Sequence, residues 1–221
     1  LPVGVTGWSD WLKDGRIDDP PTATRPRPNL LYTSGTTGVP KGTELPPTMF
    51  AGGDTMTEHL QGLNRSRFAS YGTHLVVGPM YHTGPLSGMR LLAAGIPSVV
   101  LGRFDAESTL AAIEDHRCET AVMVPTQFVR LLSLPEHVRS GYDVSSFRLG
   151  THTGAACPVE VKQAMIDWWG PVFVDAYGAT EVGTTCSITS AEWLEHPGSV
   201  GQPVPPFEVM ILDAVSYTHL R

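Results

Sequence analysis

From residue 29 onward, short apolar runs alternate with longer stretches of helical periodicity. NLLYT (29–33), HLVVGPM (74–80), IPSVVLG (96–102), ETAVMVP (119–125), FRLGTHTG (147–154) and PVFVDAYG (171–178) read as strands. Between them, residues 47–63, 86–94, 104–118, 127–134 and 158–169 read as helices. The first is weakened by Gly52 and Gly53. The third opens with the capping pattern of FDAES and puts Leu110, Ala112 and Ile113 on one face, and Pro158 starts the last. Strands separated by helices of about ten residues or more predict parallel βαβ units, hence an α/β fold. In such sheets ligands gather at the carboxyl ends of the strands. The loops after NLLYT, HLVVGPM, FRLGTHTG and PVFVDAYG are therefore where chemistry is expected. PVFVDAYG is read as the last strand of the series, and VMILD (209–213) as a further strand-like run.

The chain has 221 residues, 41% of them apolar, enough for one large domain with a substantial core. A formal charge of −7 argues against a nonspecific nucleic-acid binder, which needs a basic face. Cys118, Cys157 and Cys186 match no metal-ligand spacing and suit a reducing compartment, so a cytoplasmic location is expected. No run approaches the ~20 apolar residues of a membrane helix. Oligomeric state has no signal in the sequence.

One stretch has an unusual makeup. YTSGTTGVPKG (32–42) offers the hydroxyls of Thr33, Ser34, Thr36 and Thr37, with Gly35 and Gly38 between and after them and Lys41 following. Glycines let backbone amides approach an anion, hydroxyls donate to it, and an ammonium group neutralises it. The spacing is not that of a Walker A loop. A flexible linker would need neither the strand before it nor the proline and lone lysine after it.

This stretch resembles the phosphate-binding signature of the adenylate-forming superfamily, which holds acyl-CoA synthetases, aryl-CoA ligases, luciferases and peptide-synthetase adenylation domains. Four more segments resemble that family's motifs in its own order: PMYH (79–82), TGAACP (153–158), YGATE (177–181) and GSVGQPVP (198–205). The resemblance implies a layered parallel-sheet core of the αβαβα type, the large N-terminal domain of these enzymes, incomplete at both ends. Residues 1–28 would be a connector from a missing upstream part, 29–213 the AMP-binding core and 214–221 an artefactual tail.

The resemblance also implies roles. Thr33, Ser34, Gly35, Thr36, Thr37, Gly38 and Lys41 would hold the β- and γ-phosphates of ATP. Gly154, Ala155, Ala156, Asp175, Ala176, Tyr177 and Gly178 would receive the adenine of ATP or AMP, Tyr177 by stacking. Thr180 would donate to the α-phosphate, Glu181 would be the ligand of Mg²⁺, and His82 would line the path of the acid. Lys41, His82, Thr180 and Glu181 are thus the expected catalytic set. His59, His74, His116, His137, His152, His196 and His219 take a structural reading, as do Trp168 and Trp169. Gly84, Gly88, Gly154 and Gly183 would leave room for a bulky acyl group.

PMYH in place of an amine-binding Asp favours a fatty or other non-amino carboxylic acid, activated to acyl-AMP and passed to coenzyme A. The other readings are an amino-acid-activating adenylation domain and a nucleotide-binding remnant without catalysis. TELPPT after the lysine loop departs from the family pattern. The ribose-binding Asp motif and the lid lysine are not in the sequence, so this polypeptide alone is expected to be inactive.

Overall fold

A computed structural model of the chain describes residues 13, 25, 29–33, 39–45 and 52–211. Strands β1 (Asn29–Thr33) and β2 (Lys41–Leu45) form a two-stranded antiparallel sheet in which Thr33 faces Lys41. NLLYT is therefore a strand, but it pairs within a hairpin and not in the parallel sheet. The two strands are separated only by residues 34–40, and so short a connection permits only antiparallel pairing; a parallel crossover needs about a dozen residues or more.

The main sheet has seven strands in the order β4-β3-β5-β6-β7-β8-β9. Its parallel part consists of β3 (His74–Val76), β4 (Ser98–Val100), β5 (Thr120–Met123), β6 (Leu149–Thr153) and β7 (Phe173–Ala179). PVFVDAYG is the last strand of the parallel series but not of the sheet. After it, β8 (Gly183–Thr189) and β9 (Gln202–Pro203) add two antiparallel strands. Residues 209–211 of VMILD form no strand, and Val209, Met210 and Ile211 are exposed. Asp213 and the tail after it lie outside the described residues, as does the expected connector apart from residues 13 and 25.

Helices fill the crossovers. Helix α1 (Met56–Leu63) begins well after residue 47, because Gly52 and Gly53 take φ of 71° and 93° and Thr55 then caps it in a capping box with Glu58. Helix α2 (Thr83–Arg90) starts earlier than expected and tightens into a 3-10 turn at Leu91–Ala94. Helix α3 (Ala106–His116) is capped by Asp105, whose Oδ1 accepts from the Ser108 amide at 2.8 Å, so FDAES is indeed a cap. Helices α4 (Pro125–Leu132), α5 (Glu136–Arg139), α6 (Val159–Trp169) and α7 (Ser190–Glu195) follow. Pro158 takes the cap position of α6, one residue before the helix.

The core joins Leu75 of β3 to Leu110 and Ile113 of α3, Phe128 and Leu131 of α4, Met165 and Trp169 of α6, and Phe173 of β7. Each such side chain contributes about 1.5–3 kcal/mol on burial. Phe128 meets Phe173 edge-on at 5.1 Å, and Phe147 meets Trp169 edge-on at 4.8 Å, so aromatic packing braces β6 and β7 from α4 and α6. The buried Gln127 amide donates from Nε2 to the Val77 carbonyl at 3.0 Å, fastening α4 beside the end of β3.

Candidate functional site

Because β3, β5, β6 and β7 run parallel, their carboxyl ends share one edge of the sheet. Three of the expected motifs emerge there. His82 stands exposed just before α2, its ring 4.7 Å from that of Tyr81. Gly154, Ala155 and Ala156 follow β6, and Asp175, Ala176, Tyr177 and Gly178 form the second half of β7.

All seven of the residues expected to receive the base line one cavity of about 270 Å³. Cys157, Trp193, Gly198, Ser199 and Val200 complete its wall. Tyr177 is exposed, leaving a ring face free for stacking. Cys157 is a protonated, unreactive wall residue, since burial pushes its thiol up to about 11.

The backbone of β7 is fixed by hydroxyls from both sides. Thr153 donates to the Ala176 carbonyl at 2.6 Å, Thr185 to the Tyr177 carbonyl at 3.1 Å and Ser187 to the Asp175 carbonyl at 3.0 Å. The register between β7 and β8 shifts between Tyr177 and Gly178, a bulge that re-aims side chains at the edge of the site. Gly178 is required there, because a Cβ on it would stand 1.9 Å from the Gly183 carbonyl oxygen. The turn after the bulge carries Thr180, partly buried, and Glu181, exposed.

Beneath the cavity lies a cluster of polar groups. Asp175 Oδ2 is 3.5 Å from Lys162 Nζ of α6 and 3.5 Å from His152 Nε2 of β6. The Lys162 ammonium also sits 4.8 Å from the centroid of the Trp193 ring. Burial drives His152 down to about 3, so the imidazole is neutral and its approach to Asp175 is not an ion pair. Burial likewise lowers Lys162 and raises Asp175, each opposed by the charge of the other. Residues 152, 162 and 175 share no periodicity, and only the pairing of β6 with β7 and the docking of α6 unite them.

Of the expected phosphate loop, Thr33 and Lys41 are placed as facing partners at the end of the β1–β2 pair that residues 34–40 connect, with the Lys41 side chain exposed. Ser34, Gly35, Thr36, Thr37 and Gly38 lie outside the described residues. Gly84 and Gly88 do not open space for an acyl chain. A Cβ on Gly84 would stand 3.0 Å from Val122, and one on Gly88 would stand 2.4 Å from His74, so both let α2 press against the sheet. Gly154 borders the 270 Å³ cavity, and Gly183 closes the β7–β8 hairpin opposite Ala179. Among the described residues no group of three or more His, Cys, Asp or Glu gathers as a metal cage, and no helix is long and apolar enough to cross a membrane.

The family model described as AMP-binding enzyme matches residues 7–217. A long-chain-fatty-acid–CoA ligase of Bacillus subtilis is 30% identical over 187 residues, which are 82% of this chain and 32% of that protein. The structure of the amide bond synthetase McbA from Marinactinospora thermotolerans superposes with a TM-score of 0.69 at 26% identity, covering 87% of this chain and 37% of that one. The o-succinylbenzoate coenzyme A synthetase MenE of Bacillus subtilis, in complex with ATP and magnesium ion, shares the fold with a TM-score of 0.65 at 24% identity, covering 87% of this chain and 38% of that one. The chain thus spans about a third of the length of the relatives it matches.

Proposed function

This chain belongs to the family of AMP-binding enzymes, and we propose that it supplies the nucleotide site of an acid–thiol ligase. In the whole enzyme, a fatty or other non-amino carboxylic acid would attack the α-phosphorus of ATP, giving acyl-AMP and pyrophosphate. The acyl group would then pass to coenzyme A. The observation that carries this reading is the gathering of Gly154, Ala155, Ala156, Asp175, Ala176 and Tyr177 around one cavity at the carboxyl edge of a parallel sheet. Thr180 and Glu181 stand on the adjoining turn.

In-line attack on phosphorus needs positioning and charge neutralisation more than covalent help. Thr180 would donate to the α-phosphate, while Thr33, the loop hydroxyls and Lys41 would hold the β- and γ-phosphates. Glu181, a single exposed hard oxygen donor, fits Mg²⁺, which takes one or two carboxylates together with phosphate oxygens and water. When bound, the ion would neutralise phosphate charge. His82 would orient the incoming carboxylate. ATP and coenzyme A are available in the cytoplasm, a compartment that three free cysteines also suit.

Titration calorimetry of this chain with AMP, and with ATP plus Mg²⁺, tests the site directly. Saturable, nucleotide-selective binding is expected, and a folded chain that binds neither would overturn the reading. Pyrophosphate exchange by the whole enzyme with fatty acids against amino acids separates the acid-thiol ligase from an amino-acid-activating domain.

A further inference from the structure

The cluster under the base cavity has a property that packing alone does not explain. Lys162 is completely buried, yet its ammonium points at a carboxylate that borders the cavity, and an indole that also walls the cavity lies against it. A buried lysine is costly, and a lysine paired with a cavity-lining aspartate fixes where negative charge sits at the rim. We propose that Lys162 is a positioning residue for base recognition: it holds the Asp175 carboxylate charged and oriented, so that the site accepts a purine with an exocyclic amino group and rejects one with a carbonyl there. This rests on the nucleotide reading above.

The chemistry follows from donors and acceptors. An ionised carboxylate only accepts hydrogen bonds, so it can receive a 6-amino group and repels a 6-carbonyl oxygen. A protonated carboxyl could donate to that carbonyl, and the discrimination would fade. The groups facing Asp175 are Lys162 from α6, His152 from β6 and, in the loop before α6, Cys157. From β8, Ser187 reaches only the Asp175 carbonyl, and α7 contributes the uncharged Trp193. His152 is neutral and Cys157 protonated near neutral pH. Lys162 is therefore the charged side chain in this cluster that opposes the effect of burial on the carboxylate, beside a hydrogen bond from the Ala176 backbone.

The test is calorimetric titration of the chain with AMP and with IMP, which differ at that exocyclic position, between pH 6.5 and 8.5. The unaltered chain should prefer AMP by about tenfold or more, the range of a hydrogen bond to a charged group, with little change across that interval. Lys162→Met should reduce the preference, and reduce it most at the acid end of the interval, because burial then acts on Asp175 without the opposing ammonium. Asp175→Asn should lack it at every pH. Equal weakening of both nucleotides by Lys162→Met, with the ratio and its pH response unchanged, would make Lys162 merely structural and overturn the inference. So would an AMP preference retained by Asp175→Asn. Should Lys162→Met not fold, Asp175→Asn and the unaltered chain decide, because in the latter the ratio must fall on acidification below pH 6.5. Failure of the unaltered chain to bind AMP would overturn the nucleotide reading itself, and this inference with it.

Discussion

A methyl group placed on Gly88 would stand 2.4 Å from Nε2 of the buried His74. His74 is held by a 2.7 Å hydrogen bond between Nδ1 and the Thr120 hydroxyl and by the edge of Phe68, so its ring cannot swing aside cheaply. Helix propensity alone predicts that Gly88→Ala gains up to about 1 kcal/mol. The contact predicts the opposite sign, a loss of about 1–3 kcal/mol from overpacking. Urea unfolding followed by circular dichroism distinguishes the two, and a stabilised variant would show that α2 does not sit on β3 as described.

The two buried histidines make the fold sensitive to acid. Burial lowers His74 from 6.5 to about 4 and His152 from 6.5 to about 3. A histidine whose folded value lies below its unfolded one contributes stability that is complete above the unfolded value and lost as pH falls through the folded one. Stability should therefore decline from about pH 6.5 towards pH 3. His152→Leu should give a shallower slope over that interval whatever its baseline stability, as measured by denaturant midpoints at successive pH values.

The periodicity that marked β3, β5, β6 and β7 is that of strands buried in a parallel sheet, and those strands appear where their apolar runs lie. The residues expected at the base fall around one cavity because they sit at strand ends, where sequence order and spatial order coincide. What escaped was set by the choice of partner strand, which a segment's own composition does not fix. NLLYT looks the same whether its neighbour is parallel or antiparallel, and GTTCSIT (183–189) has too few apolar residues to stand out as a strand until β7 pairs with it. Thr189 and Glu192 do carry a capping-box signal for α7, which could have been read. Lys162 occupies an ordinary helical position in sequence, and its burial follows only from the docking of α6 against β7.

Lys162 and Asp175 should also behave as a coupled pair in stability. Burial acts against both charges, so the pair adds little net stability, while either charge alone would be left uncompensated. Lys162→Met or Asp175→Leu alone should cost about 3–5 kcal/mol. The double variant should cost much less than the sum, and an additive double-mutant cycle would mean that the two groups do not interact.

Glu181 differs from these residues in that its side chain is exposed on a turn and no hydrogen bond of the fold depends on it among those described. Glu181→Gln keeps the shape and removes the charge, so stability should stay within about 0.5 kcal/mol of the unaltered chain. The proposed role concerns the polyphosphate and its cation, whereas AMP has neither β- nor γ-phosphate. AMP affinity should hence be nearly unchanged, while affinity for ATP in the presence of Mg²⁺ should fall by about tenfold or more, as expected for losing one charged ligand. With EDTA in place of Mg²⁺, the two chains should bind ATP alike. An equal loss for AMP and ATP would place Glu181 at the base or ribose, and no loss for either would remove it from the site.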